Sequence, residues 1–167
     1  MAGKKFSEFT PGVAVTSNTR IAGYVNGGTT NNIWTPTELA AGLQEHLLQN
    51  FIIACSDETT ALTTGTKATF RMPYAFTLTA VRASLTTAGS TSGVTTIDIN
   101  LGGSSIFTTN LLTIDQGDKT SVGATTAPNI TTTALTDDGE ITIDIDGLSG
   151  GATETGLKVT LIGYKTP

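Results

Sequence analysis

The sequence predicts a mainly β protein: an antiparallel β-sandwich of jelly-roll type, with an N-terminal hairpin and one short α-helix ahead of it. Three observations carry this. Threonine supplies 35 of the 167 residues and glycine 19, while only 14% are charged. Threonine suits a pleated strand with a polar outer face, and glycine suits tight turns. Apolar residues alternate with polar ones in several short runs, the period of two that a half-buried strand requires. Clusters of Gly, Asn, Asp and Ser separate those runs.

From the N-terminus, TRIAGYV (Thr19–Val25) reads as a strand, NGGTTN (Asn26–Asn31) as a turn and NIWT (Asn32–Thr35) as the return. A lone hairpin is marginal in water, so this one needs a surface to pack on. TPTELAAGLQEHLLQNF (Thr35–Phe51) predicts a helix. Thr35 is the N-cap, Pro36 takes the first helical position and Glu38 completes a capping box. Leu39, Leu43, Leu47 and Phe51 recur every fourth residue, with Leu48 beside them. This apolar stripe packs either on the chain's own sheet or as a seam between identical chains. Residues 1–50 therefore form a hairpin-plus-helix segment that needs a partner surface, and residues 51–167 the sandwich domain.

In the second part, FIIACS (Phe51–Ser56) reads as a buried run. ATFRMPYAFTLTAVRASLTT (Ala68–Thr87) is interrupted by Pro73, which predicts an edge, a bulge or two strands. VTTIDINLGG (Val94–Gly103), EITIDIDG (Glu140–Gly147) and GLKVTLIGY (Gly156–Tyr164) alternate cleanly. SSIFTTNLLTID (Ser104–Asp115) follows a Gly-Gly turn. About six to eight strands result.

Charge and chemistry narrow the function. The net charge of −5 and the scattered basic residues argue against nucleic acid, whose phosphates need clustered Lys and Arg. No apolar run is long enough for a membrane span, and the N-terminus shows no secretory signal. Cys55 is the only cysteine and His46 the only histidine. Cys55 is expected as a small core residue made in a reducing cytosol, and His46 as a polar-face helix residue. No catalytic triad, Cys-His pair or zinc site assembles from that inventory, so no enzyme and no cofactor are expected.

Five carboxylates fall within DDGEITIDIDG (Asp137–Gly147). If Ile141, Ile143 and Ile145 face the core, then Thr142, Asp144 and Asp146 share the solvent face, as Thr96, Asp98 and Asn100 do in the earlier strand. Plain polar-out alternation accounts for them without a metal. DQGD (Asp115–Asp118) and DDGE (Asp137–Glu140) offer loop oxygens to calcium, but neither has EF-hand spacing.

Two stretches carry a resemblance. TRIAGYV…NNIWTPTELAAGLQ resembles the short N-terminal unit of bacteriophage tail-fibre and adhesin-like proteins, where a Gly-Tyr strand and its return lead into a helix. Most of residues 65–164 resembles a β-rich terminal module of phage virion proteins, through DINLGGSSIF, LTIDQGDKTS, EITIDID and GLKVTLIG in that order. The loops TDDGE and LSGGATETG depart from the pattern. The resemblance implies a virion structural protein, synthesised in the host cytoplasm and assembled as a homotrimer. One reading is a short tail fibre or adhesin. Its N-terminal segment, with Phe6, Phe9, Tyr24, Ile33 and Trp34 as anchoring candidates, docks to a baseplate or tail hub, and its sandwich meets a host surface glycan. The second is a capsid decoration (cement) protein gripping the capsid protein, and the third a free carbohydrate-binding module. Leu39, Leu43, Leu47 and Phe51 are the candidate oligomer interface, and Ala88–Gly93, Gly117–Thr126 and Leu148–Thr155 the candidate contact loops.

Overall fold

The computed structural model describes residues 21–24 and 31–34 by their backbone, and residues 35, 36, 38, 47–150 and 153–166 in full. The chain divides into two compact units, Met1–Leu43 and Gln44–Pro167.

In the first unit, β1 (Ile21–Tyr24) and β2 (Asn31–Trp34) form an antiparallel hairpin. Tyr24 is paired with Asn31, Ile33 with Ala22 and Trp34 with Ile21. Phe6 and Phe9 lie outside the described residues. The helix start is built as its sequence predicts. Thr35 N donates to Glu38 Oε2 at 2.6 Å, and Glu38 N donates to Thr35 Oγ1 at 3.2 Å. This reciprocal pair satisfies main-chain donors that the first helical turn leaves open. Pro36 and Glu38 are helical, whereas Leu39, Leu43 and His46 lie outside the described residues.

The helix does not reach Phe51. Leu47 and Leu48 are irregular, and β3 (Gln49–Ala54) follows directly. Phe51, expected as the last member of the helical stripe, is a half-buried strand residue. The four-residue period is overridden there because β-branched Ile52 and Ile53 favour a pleated strand that β11 can pair. Nor is FIIACS buried throughout: it alternates, and Ile52 is 66% exposed because it points away from the core, out of phase with Phe51 and Ile53.

The second unit is a sandwich of antiparallel sheets. After β3 come β4 (Gly65–Arg71), β5 (Phe76–Ser84), β6 (Val94–Leu101), β7 (Ser104–Ser105), β8 (Leu112–Asp115), β9 (Ala134–Leu135), β10 (Glu140–Gly147) and β11 (Lys158–Lys165). One sheet has the order β3-β11-β5-β9; the other runs β4-β10-β6-β7, with β8 also on β6. The pairing is nested: β3 lies beside β11 and β4 beside β10. Inside these, β5 and β6 pair with those same late strands. Successive strands mostly switch sheets, which is the jelly-roll path. Pro73 falls between β4 and β5, the two-strand outcome. Leu101 pairs with Ser104 across Gly102 and Gly103, whose φ values of 58° and 81° fit a two-residue turn closed to most other residues.

The core takes Phe76, Leu78, Val81, Val159 and Leu161 from one sheet, and Ile97, Ile99, Leu112, Ile141, Ile143 and Ile145 from the other. Each such side chain stabilises by roughly 1.5–3 kcal/mol when fully buried. Among the described residues no helix is long and apolar enough to cross a membrane.

Candidate functional site

Strand direction sorts the sandwich into two ends. The chain enters at Gln49, beside the start of β5 and the end of β11, since Gln49 pairs with Gly163 and Phe76 with Lys165. At the other end lie the close of β5, the start of β6, the close of β8 and the β10–β11 connection. The three loops singled out for their Gly, Ser and Thr content meet at that second end.

Their contacts are specific. Gly117 N donates to Gly89 O at 3.1 Å and Gly150 N to Ser92 O at 2.9 Å. Thr153 Oγ1 lies 3.2 Å from Ser90 Oγ. Ser121 Oγ accepts from Ala83 N at 2.9 Å, and Thr120 bridges to Ser84. Ser90, Thr91, Ser92 and Thr153 remain exposed. The result is a hydroxyl-rich surface on a rigid support, without an aromatic side chain among the described loop residues.

Beneath this surface sits Glu154, which is fully buried. Its Oε1 accepts from Ser149 N at 2.9 Å, from Thr95 Oγ1 at 3.1 Å and from Ser149 Oγ. Its Oε2 is buried with no hydrogen-bond partner. Burial raises the pKa of this carboxyl, but the bonds from Ser149, its own main-chain amide and Thr95 outweigh that and hold it below the ordinary value. Gly89 packs against the same group: a Cβ there would collide with Ser149 Oγ and stand 2.8 Å from Glu154 Oε1. Glu154 O accepts from Leu62 N at 2.8 Å, which ties in the β3–β4 connection as well.

Glu154 was not among the residues the sequence singled out. One signal pointed to it. Thr95 falls in phase with the buried Ile97 and Ile99, and a hydroxyl on the core side of a strand must find a buried partner.

The other acids behave as strand and turn residues. Asp144 accepts from Asn100 Nδ2 at 2.9 Å, from Thr142 Oγ1 at 3.0 Å and from Thr66 Oγ1. Asp98 accepts from Ser105 Oγ at 2.6 Å. Asp146 is exposed and has a raised pKa, through partial desolvation and the neighbouring charges of Asp98 and Asp144. Asp115 accepts from Thr125 N and Oγ1 at 2.8 and 2.7 Å, which lowers its pKa. Asp138 and Glu140 flank Arg71 at 3.6 and 3.5 Å. Among the described residues no group of three or more His, Cys, Asp or Glu is placed to hold a metal ion.

Of the interface candidates, Leu47 is 62% exposed and Leu48 beside it 66%. Phe51 instead packs within the sandwich, 5.2 Å from the ring of Phe76 and 5.8 Å from that of Tyr74. Cys55 is buried, as its place in an apolar run predicts.

Fold and site together define a jelly-roll β-sandwich with one end built from interlocked polar loops. Comparison with protein families, with curated proteins and with solved structures finds no match for this chain.

Proposed function

We propose that this chain is a non-enzymatic structural protein of a bacteriophage particle: a short trimeric tail fibre or adhesin that anchors by its N-terminal segment and presents the sandwich to the host surface. The observation that carries the reading is polarity. The chain enters the sandwich at Gln49, and the three hydroxyl-rich loops gather at the opposite end. A module joined to a particle at one end and touching a partner at the other requires that arrangement. Loops on a rigid frame tolerate the variation that recognition needs.

Self-association has its own support. Among the described residues, three of the five exposed large hydrophobic ones, Leu47, Leu48 and Ile52, fall within six positions of one another. They directly follow the Leu39/Leu43 stripe in sequence. Exposed apolar clusters of this kind mark contact surfaces. Hydroxyl loops without aromatic platforms bind sugars weakly per site, and several copies on one particle raise the avidity.

The test is microscopy of phage particles carrying a tag on this protein, combined with adsorption of loop variants. Deleting Leu148–Thr155 would remove buried Ser149 and Glu154, so exposed positions are changed instead. Tail labelling, with loss of host adsorption in Thr91→Arg and Thr153→Arg, is the expected result. Capsid labelling, with normal adsorption and particles that lose heat stability without the protein, would replace the tail reading by capsid decoration.

A further inference from the structure

Glu154 joins segments that are distant in sequence. Its side chain holds Ser149 of the β10–β11 connection and Thr95 at the start of β6. Its carbonyl holds Leu62 of the β3–β4 connection, and Gly89 of the β5–β6 connection packs on the same carboxylate. The bonds from Thr95 and Ser149 all go to Oε1, their donors are neutral, and Oε2 is buried with no hydrogen-bond partner. This geometry treats the two protonation states very differently. As a carboxylate, Oε1 accepts charge-assisted bonds, the strong kind. A proton added at Oε2 weakens those bonds and becomes a buried donor with no acceptor.

We propose that Glu154 is a proton-released latch on the loop end: ionised, it locks the β10–β11 connection onto β6 and the β5–β6 connection; protonated, it lets that end open. The rest of the sandwich stays paired, because its core is apolar and contains no other buried carboxylate among the described residues.

The surrounding segments add few competing charges. Residues 85–94 contain no titratable side chain, and Glu154 is the only one in 148–157. The β3–β4 connection brings Asp57 and Glu58. Asp57 is occupied by the amides of Thr59 and Thr60, and Glu58 by Lys158 and Thr86. The end of β8 and the turn after it bring Asp115, Asp118 and Lys119, with Asp115 bonded to Thr125. On β6, Asp98 lies on the outer face, in phase with Thr96 and Asn100 rather than with Thr95.

The sign follows from the direction of the shift. A carboxyl held below its ordinary pKa contributes stability that is full above the unfolded value. That stability is lost as pH falls through the folded value. The latch therefore opens in acid, below the unperturbed 4.5 of a glutamic acid. It deepens the function proposed above, as regulation of the same surface, and it rests on that reading only for its biological consequence.

The test is amide hydrogen exchange of the whole chain, corrected for intrinsic rates, at pH 7 and at about pH 3.5. Protection at Leu62, Ser149 and Gly150 is expected to fall severalfold in acid, up to about tenfold, while Ile143 and Leu161 keep theirs. Glu154→Gln, which mimics the protonated state, should show the low protection already at pH 7 and no further change. Thr95→Val removes one donor and should move the opening to higher pH, which keeps the test decisive if the glutamine variant does not fold. Unchanged protection in acid, or the same pH response in Glu154→Gln, would overturn the latch. Either result leaves the tail reading to be decided by particle labelling and adsorption.

Discussion

The ring of Phe51 meets that of Phe76 edge-on, with centroids 5.2 Å apart and planes at 71°. Tyr74 adds a second, tilted ring contact to Phe51, and its hydroxyl donates to Gln49 Oε1 at 2.7 Å. Aromatic pairs in this geometry contribute beyond the area they bury. Phe51→Ala is expected to destabilise the sandwich by roughly 2–3 kcal/mol, less than a fully buried phenylalanine would, because Phe51 is half-buried. Urea unfolding measures this. The same variant should leave the oligomeric state by light scattering unchanged, whereas Ile52→Asp, on the exposed side of β3, should weaken self-association.

Asp146 predicts a pH effect of opposite sign to the latch. Partial desolvation, then Asp98, then Asp144 raise its pKa, so its ionised form costs the folded state stability. That cost is present above the raised pKa and vanishes as pH falls below the unfolded value. Asp146→Asn should therefore raise the melting temperature at pH 7 and have no such effect at about pH 3. Equal shifts at both pH values would show that charge is not the cause.

Chelation should do little. Asp98, Asp115 and Asp144 already have protein donors on their oxygens, and Asp138 and Glu140 face Arg71. A metal bound only to the folded state would raise the melting temperature by mass action. Adding EDTA is expected to shift it by less than about 1 °C. A fall of many degrees, reversed by calcium, would place an ion in one of these loops.

Cys55 should be inert in the native protein. Burial pushes its thiol up to about 11, against the smaller opposing effect of a hydrogen bond from the Val159 main chain. The nucleophile is the thiolate, which is scarce at such a pKa. A thiol reagent at about pH 8 should label Cys55 only when the chain is unfolded, and mass spectrometry reads this directly.

Much of this molecule follows from local sequence. Alternation places Ile97, Ile99, Ile141, Ile143, Ile145, Val159 and Leu161 in the core because successive strand side chains point to opposite faces. The Thr35–Glu38 cap is likewise a matter of three residues' spacing. The Gly102–Gly103 turn follows from backbone freedom alone.

Tertiary structure decided the rest, where contacts join residues far apart in the chain. Propensity and a four-residue period carried the predicted helix to Phe51, but pairing with β11, over a hundred residues away, makes Gln49–Ala54 a strand. That β3 is an edge strand depends on strand order, which no local pattern encodes. The three loops each looked polar and open by composition; only the jelly-roll path brings them to one end. Glu154 is the clearest case. Its surroundings in sequence, GGATETG, are those of a solvent-exposed turn. It is buried because Thr95 and Gly89 close around it from distant parts of the chain and Ser149 from its own connection, and the neutral donors of Thr95 and Ser149 let a carboxylate reside where water does not reach.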